Sequence, residues 1–416
     1  MSALEAVSAD VVVIGAGPAG LTAATRLRDL GVPAVLVLER EAEAGGIPRH
    51  SDHTGYGLRD LRSVLTGPVY ARRLTESARE AGVDIRTSAT VTDWADDRSV
   101  LVTSPVGRQR VDARAVVLAT GARERARPAR LIPGDRPAGV LTTGQLQNLV
   151  HVQHRPVGKR AVVVGSELVS WSAVLTLRQA GCTTALMTTE HERPESYAAF
   201  SVPGRVGLGV TVARHCRVVR VMGKDRVSAV ELLHLGTGAR RVFPCDTVVF
   251  TGDWIPDHEL ARLRGIDMDP GHKGPVVDTA LRTSAVGIFA AGNLLHPVDT
   301  ADIAALDGRH VAEQVLRHLA GHDHIAPGVR LTADEPFTWV SPGIIRPGDP
   351  APARERVLLW SSQYRAFPRI VVRQEGVILG RRRLPWPVSP GRVFRLPFDL
   401  ISRARPDGGE IRISVG

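Results

Sequence analysis

The sequence predicts an α/β fold in which two units of parallel strand, tight turn and helix precede a small all-β module. Three observations carry this. Continuous β-branched runs, Val11-Val12-Val13-Ile14 and Ala161-Val162-Val163-Val164, each lead into a glycine-bearing turn and a helical apolar pattern, as strands buried on both faces do. A matching run lies downstream of each unit, Ala115 to Leu118 before Ala119-Thr120-Gly121 and Thr247 to Phe250 before Thr251-Gly252. From Leu331 onward the pattern changes to short alternating segments, among them Val357 to Trp360, Arg369 to Arg373 and Glu410 to Val415, separated by Pro, Gly and Arg.

The 416 residues suffice for two or three domains, and 43% hydrophobic with 23% charged residues places the chain among globular proteins rather than disordered ones. No stretch reaches the roughly 18 apolar residues of a transmembrane helix. The segment Met1 to Asp10 carries acidic residues and no basic one, unlike a secretory or transit sequence, so a cytoplasmic location is expected. The three cysteines, Cys182, Cys216 and Cys245, form no C-x-x-C pair, which argues against a disulfide framework, and no metal site is expected. The formal charge is +10, but lysine occurs only at Lys159, Lys224 and Lys273, and the arginines are dispersed among acids. Such dispersal reads as a solvated surface, not a nucleic-acid footprint.

Each element has a local reason. In the first unit the strand ending at Ile14 meets Gly15-Ala16-Gly17-Pro18-Ala19-Gly20; a helix follows with Leu21, Ala24, Leu27 and Leu30 on its apolar face, and Gly31 ends it. A second strand, Ala34 to Leu38, terminates at Glu39. In this Rossmann-like arrangement Gly15 permits the tight exit, Gly17 lets backbone approach a pyrophosphate, and Gly20 allows helix and strand to pack closely. The helix N-terminus offers free N–H groups to phosphate. Glu39, nineteen residues past Gly20, stands where a carboxylate accepts hydrogen bonds from a ribose. The second unit repeats the plan with a strand from Arg160, a helix over Leu168 to Ala180, Gly181, and a strand from Thr183 to Met187. Its turn reads Gly165-Ser166-Glu167-Leu168-Val169-Ser170, so Glu167 takes the close-approach position and disfavours a dinucleotide pyrophosphate there. A further strand, Val286 to Ala290, leads into Gly292-Asn293 and a helix over Asp302 to His318.

These residues resemble the two-dinucleotide-binding-domain flavoproteins of the pyridine nucleotide-disulfide oxidoreductase group, over residues 9 to 320. The carriers are the first glycine turn, Glu39 with Arg40, the pair Gly45-Gly46, Ala119-Thr120-Gly121, and Phe289-Ala290-Ala291-Gly292-Asn293. The resemblance implies FAD held by 1–155 and a return segment 276–330, and an inserted NAD(P)-type domain over 156–275 with the degenerate loop; the alternating pattern and charge of the tail add a separate basic β module over 331–416. It implies cofactor contacts from Gly15, Gly17, Pro18, Ala19, Gly20, Glu39, Arg40, Gly45, Gly46, Ala119, Thr120, Gly121, Gly292 and Asn293. Val91, in a strand expected over Thr87 to Thr92, matches the position whose backbone meets the adenine. Asn293 replaces the usual aspartate on the ribityl chain, and its amide oxygen can accept the same bond. The helix near Asp302 is expected to aim its positive end at the pyrimidine edge of the flavin. The redox-active cysteine pair of the disulfide reductases is absent.

A narrower likeness joins Gly45-Gly46-Ile47-Pro48-Arg49-His50, Gly67-Pro68-Val69-Tyr70-Ala71-Arg72-Arg73-Leu74 and Gly292 to Asp302 with the α-type FAD subunits of opine oxidases, hydrogen cyanide synthase and dye-linked amino-acid dehydrogenases. It implies partnership with a second flavoprotein or an iron–sulfur subunit. Because the C-terminal module has no cysteine, another chain would supply any cluster. His50, His53 and His296 follow the two glycine turns and are candidates for proton transfer beside the flavin; the bland reading is that each anchors its loop. Arg49, Arg72 and Arg73 are candidates for holding a substrate carboxylate.

The expected function is an FAD-dependent oxidoreductase, a dehydrogenase subunit moving electrons between an amine, opine, amino-acid or hydroxy-acid substrate and a partner acceptor. Two alternatives stand beside it: an NAD(P)H-dependent flavin reductase of a small electron carrier, and a catalytically silent flavin-fold scaffold. The tail from 331 holds 14 basic against 8 acidic residues, so Arg381-Arg382-Arg383 beside Trp386, with Arg392 and Arg395, forms a candidate docking face.

Overall fold

The computed structural model describes residues 5–297, 299–322 and 326–416. Val298, within the segment Gly292 to Asp302, lies outside the described residues, as does the start of the segment Met1 to Asp10.

The first strand, Glu5–Ile14, is flanked in parallel by Val35–Leu38 and Gly107–Leu118. Asp84–Arg86 extends the row beyond Val35–Leu38, and Ile288–Ala290 adds in parallel to the C-terminal half of Gly107–Leu118. Val11, Val12 and Val13 are fully buried because layers pack on both faces of the sheet, which is why the run is continuous rather than alternating. The register aligns Ile14 with Leu38 and Leu118, and Leu118 with Ala290. The glycine turn, Glu39, Ala119-Thr120-Gly121 and Gly292-Asn293 therefore leave the same edge of one sheet.

The strand expected over Thr87 to Thr92 is divided. The chain forms Asp84–Arg86 in parallel and Thr90–Trp94 in an antiparallel meander with Ser99–Ser104 and Gly107–Leu118. Between them Ser88 has φ of +51°, and Ser88 and Ala89 donate their N–H groups to the carbonyls of Glu41 and Glu39 at 2.8 Å. Those bonds turn the chain over the Glu39 loop instead of extending the strand. Val91 pairs with Val102 in this meander.

The second unit is a parallel sheet in the order Val140–Thr142, Thr247–Phe250, Arg160–Val164, Thr183–Thr188, Val212–Ala213, with the helix Leu168–Gln179 after its glycine turn. An antiparallel sheet, Cys216–Gly223 with Val227–His234 and Arg240–Pro244, packs against it through Val218, Val221 and Val230. A two-stranded connection, Ala122–Glu124 with Trp254–Pro256, links the units.

From Val329 the chain is all-β: one sheet in the order Ile344–Ile345, Val329–Ala333, Ile411–Val415, Arg369–Gln374, Val377–Arg383, and a second of Phe337–Ser341, Arg356–Ser361 and Phe394–Pro397. Ile370, Val372, Ile411 and Ile413 from one sheet and Val357, Leu359 and Leu396 from the other are fully buried in a shared core. Two arginines expected on an outward docking face turn inward. Arg395 reaches Asp299 at 2.5 Å, and the Arg392 guanidinium lies 4.3 Å from the centre of the Tyr197 ring. Their partners are a buried carboxylate and an aromatic face, each a better site for arginine than open solvent.

Candidate functional site

At the shared sheet edge the helix Pro18–Asp29 begins at Gly17 with no side-chain cap, so its first N–H groups are unclaimed by side chains. Gly20 explains itself by contact: a Cβ there would lie 1.9 Å from the Gly15 carbonyl oxygen. Gly17 differs, because a Cβ on it would meet no protein atom within 4 Å. The space above it is thus left for a ligand approaching backbone. The Gly45-Gly46 turn closes one side, with Gly45 donating its N–H to the Ala16 carbonyl at 2.8 Å. The buried Glu39 carboxylate accepts from the Ala16 N–H at 2.8 Å and from the Glu41 N–H at 2.9 Å, which fixes its direction beside the turn.

Asn293 provides the clearest sign of an absent partner. Its Nδ2 donates to the Asp299 carbonyl at 3.0 Å, and its Oδ1 is buried with no protein partner. A buried acceptor left in this state costs about 1–3 kcal/mol, and a ligand hydroxyl would relieve it. The following helix, Ala301–Leu319, carries the buried Asp302 in its first turn, and Arg59 pairs with that carboxylate at 3.0 Å. The positive helix end is therefore shared with its own side chain.

Arg40 and Thr120 converge on a residue absent from the sequence expectations. Asp257 accepts from Arg40 at 3.0 Å, and its carbonyl accepts from the Thr120 hydroxyl at 2.7 Å. Arg123 also pairs with it. No local motif marks Asp257, because its role comes from the two-stranded connection that brings Pro256 opposite Ala122.

The three histidines do not meet. His50 is buried, its Nδ1 lacks a partner, and burial with the nearby Arg49 charge lowers its pKa to about 4. It is neutral at pH 7, with its protonated form disfavoured by the same burial. His53 is partly exposed; its Nε2 lies 3.0 Å from Ser51 Oγ and 2.6 Å from Ser172 Oγ, while Gln147 donates to both hydroxyls at 3.1 and 2.7 Å. Ser172 comes from the second unit, and Gln147 follows Val140–Thr142, which the structure adds to that unit's sheet ahead of the boundary expected at 156, so this polar cluster bridges the units. His296 is buried, and its Nε2 is paired with Asp307. Burial would raise the Asp307 pKa, but Arg354 and His296 hold it down at about 2. Arg49 braces the Glu41–Glu43 loop, and Arg72 and Arg73 lie on the exposed face of the helix Gly67–Glu80.

In the second glycine turn Glu167 accepts from the Ser170 hydroxyl at 2.6 Å and the Thr251 hydroxyl at 2.9 Å. Its carboxylate fills the space over Gly252, where a Cβ would lie 1.9 Å from Oε1. Gly391 of the C-terminal module presses on the same place, with a built Cβ 2.3 Å from Glu195 Cβ and 3.0 Å from Glu167 Cγ. A cavity of about 590 Å³ remains beside them, lined in part by Arg125, Arg130, Arg217, Glu167 and Glu195. The cysteines are all unpaired; burial pushes the Cys182 and Cys245 thiols up to about 11 and about 12. Among the described residues no cluster of three or more His, Cys, Asp or Glu is placed to hold a metal ion, and no helix is long and apolar enough to cross a membrane.

Two nucleotide-binding-type units, one with an open glycine cradle and an orphaned acceptor, define a flavin-dependent oxidoreductase. Residues 9–308 match the model of the pyridine nucleotide-disulphide oxidoreductase family, and the chain belongs to that family, with FAD as its cofactor. It is 29% identical to an opine oxidase subunit of Agrobacterium tumefaciens (strain Ach5), over 74% of this chain and 66% of that protein. It is 25% identical to the ferredoxin–NADP reductase of Ignicoccus hospitalis (strain KIN4/I / DSM 18386 / JCM 14125), over 74% of this chain and 98% of that one. The crystal structure of T. acidophilum thioredoxin reductase superposes with a TM-score of 0.64 at 19% identity, covering 76% of this chain and 99% of the other, which establishes the shared fold. The chain thus spans just under two thirds of the length of the opine oxidase protein it matches.

Proposed function

We propose that the chain is the FAD subunit of a dehydrogenase, receiving electrons from an amine, opine, amino-acid or hydroxy-acid substrate and passing them to a second flavoprotein or iron–sulfur subunit. The observation that carries this reading is the second glycine turn, where Glu167 fills the pyrophosphate position and Gly391 closes over it. The cysteine pair of the disulfide reductases is missing as well, and Glu167 disfavours NAD(P)H as the other usual route of electrons to a flavin in this family. The likeness to an opine oxidase component supports the substrate class and the expectation of a partner.

FAD supplies the hydride and electron chemistry. In this reading Glu39 accepts from the adenosine ribose, the N–H groups after Gly17 face the diphosphate, Gly45 and Gly46 flank it, and Asn293 Oδ1 accepts from the ribityl chain. Pro18, Ala19, Gly20, Ala119, Thr120, Gly121 and Gly292 form the walls, and Arg40 steadies the ribose side through Asp257. His50, neutral and buried, is the proposed proton acceptor, while His53 is held apart from it by the Ser51 and Ser172 hydroxyls.

The cavity beside Glu167, with Arg125, Arg130 and Arg217 on its walls, favours a second reading as an NAD(P)H-dependent reductase. Anaerobic titration separates the two. Under the leading reading excess NADH or NADPH leaves the flavin absorbance near 450 nm unbleached over minutes, whereas rapid bleaching by either would select the second.

A further inference from the structure

The flavin reading leaves open why a β module is fastened to the loop that follows Asn293. Asp299, whose carbonyl orients the Asn293 amide, has a side chain only 2% exposed. Its Oδ1 accepts from the Thr300 N–H at 2.9 Å and from Arg395 Nη2 at 2.5 Å. Arg395 stands on the strand Phe394–Pro397, opposite Leu358 in the module's second sheet. A second module residue holds the far end of the same segment. Arg354 Nη1 donates to Asp307 Oδ1 at 2.9 Å and to the Ile303 carbonyl at 3.0 Å, and Asp307 in turn holds His296.

We infer that Arg395 is a positioning residue for the flavin: through Asp299 it sets the Asn293 amide oxygen, so the β module controls cofactor affinity and redox potential. The inference rests on the proposed role of Asn293 at the ribityl chain. Its physics is that of a buried ion pair with one mobile partner. Without Arg395 the Asp299 charge is buried and uncompensated, and the loop must shift to hydrate it. The Asp299 carbonyl moves with it, and the Asn293 amide loses its orienting acceptor. An unpaired carboxylate near the flavin loop also disfavours the anionic reduced flavin, so the potential falls.

The test compares wild type, R395A, R395K and the charge-removing pair D299N/R395M, with R381A on the exposed strand Val377–Arg383 as control. FAD is added to the apoprotein and binding followed by flavin fluorescence; the midpoint potential and visible spectrum are then recorded. R395A is expected to bind FAD about tenfold more weakly or worse, with a lower potential and a shifted spectrum. R395K should recover part of both, and R381A should match wild type. The pair variant keeps the affinity loss while its potential returns toward wild type, and it carries the test if R395A does not fold. Unchanged affinity and potential in folded R395A, or unchanged affinity in the pair variant where R395A does not fold, overturn the inference. Wild type that takes up no FAD overturns instead the flavin reading beneath it.

Discussion

Glu195 and His50 are buried ionisable side chains whose environments act in opposite directions on stability. Glu195 sits under Gly391, receives the Ser166 hydroxyl, and faces Glu167; burial first and the Glu167 charge second raise its pKa to about 7. An acid with a raised folded pKa contributes stability that is complete below its unfolded value near 4.5 and is lost as pH rises through about 7. His50 is the reverse. Its folded pKa of about 4 lies below 6.5, so its contribution is present above pH 6.5 and lost as pH falls through about 4. Replacing Glu195 with Gln removes the charge and keeps the shape, so E195Q should gain stability over wild type by about 3 kcal/mol at pH 8 and little at pH 4.5. Urea unfolding at both pH values reads this difference; equal gains at both would contradict the assigned environment. H50Q should show the opposite pH trend, moderating the loss toward pH 4.

At the scale of elements, the two helices beside the flavin edge show how far sequence pattern reaches. The helix Pro18–Asp29 is legible because Gly15 to Gly20, its apolar spacing and Gly31 all lie within one short segment. The helix Ala301–Leu319 is legible in place and length, but not in what holds it. Gly308 is the hidden contact: a Cβ there would lie 2.3 Å from the Ala19 carbonyl oxygen, so the two backbones touch at that point. Nothing in the local pattern of Gly308 reveals this, since the partner is almost three hundred residues earlier. For the same reason Gln147, Ser172, Asp257 and Arg395 carry no local signal of their roles: each acts on a residue distant in sequence. The Ser88 break is equally hidden, because its cause is a pair of bonds to the Glu39 loop, which no β-propensity encodes. G308A should therefore cost about 1–3 kcal/mol and separate the helices, despite alanine's better helix propensity. A thermal melt with and without added FAD checks this: a lower melting temperature and a smaller FAD-induced rise are expected, and a stabilised variant would show that the helices do not touch there.

Across the whole molecule, the basic excess of the tail is partly internal wiring. Arg346 reaches Asp278 at 3.0 Å, Arg354 reaches Asp307 and Arg395 reaches Asp299, all in the return segment of the first unit. Toward the second unit the fastening is different in kind. Tyr364 of the module lies under Arg193, 4.7 Å from guanidinium carbon to ring centre, and Arg392 of the module lies over Tyr197 at 4.3 Å. Each side contributes one arginine and one ring, and Gly391 fits between them against Glu195. The module therefore holds the first unit by buried ion pairs and the second by cation–π contacts worth about 0.5–1 kcal/mol each, so the second contact should open first. Y197A/Y364A removes both rings and leaves the arginine–aspartate pairs untouched. Hydrogen exchange should then quicken around Glu195 to Leu208 and at the Gly391 loop, while Val11 to Ile14 and Ile370 to Val372 keep wild-type protection. Flavin affinity should stay at the wild-type value, because Arg395 and Asp299 remain paired. Loss of flavin together with faster exchange would mean that the module grips both units as one body, and that the two sets of contacts cannot be separated.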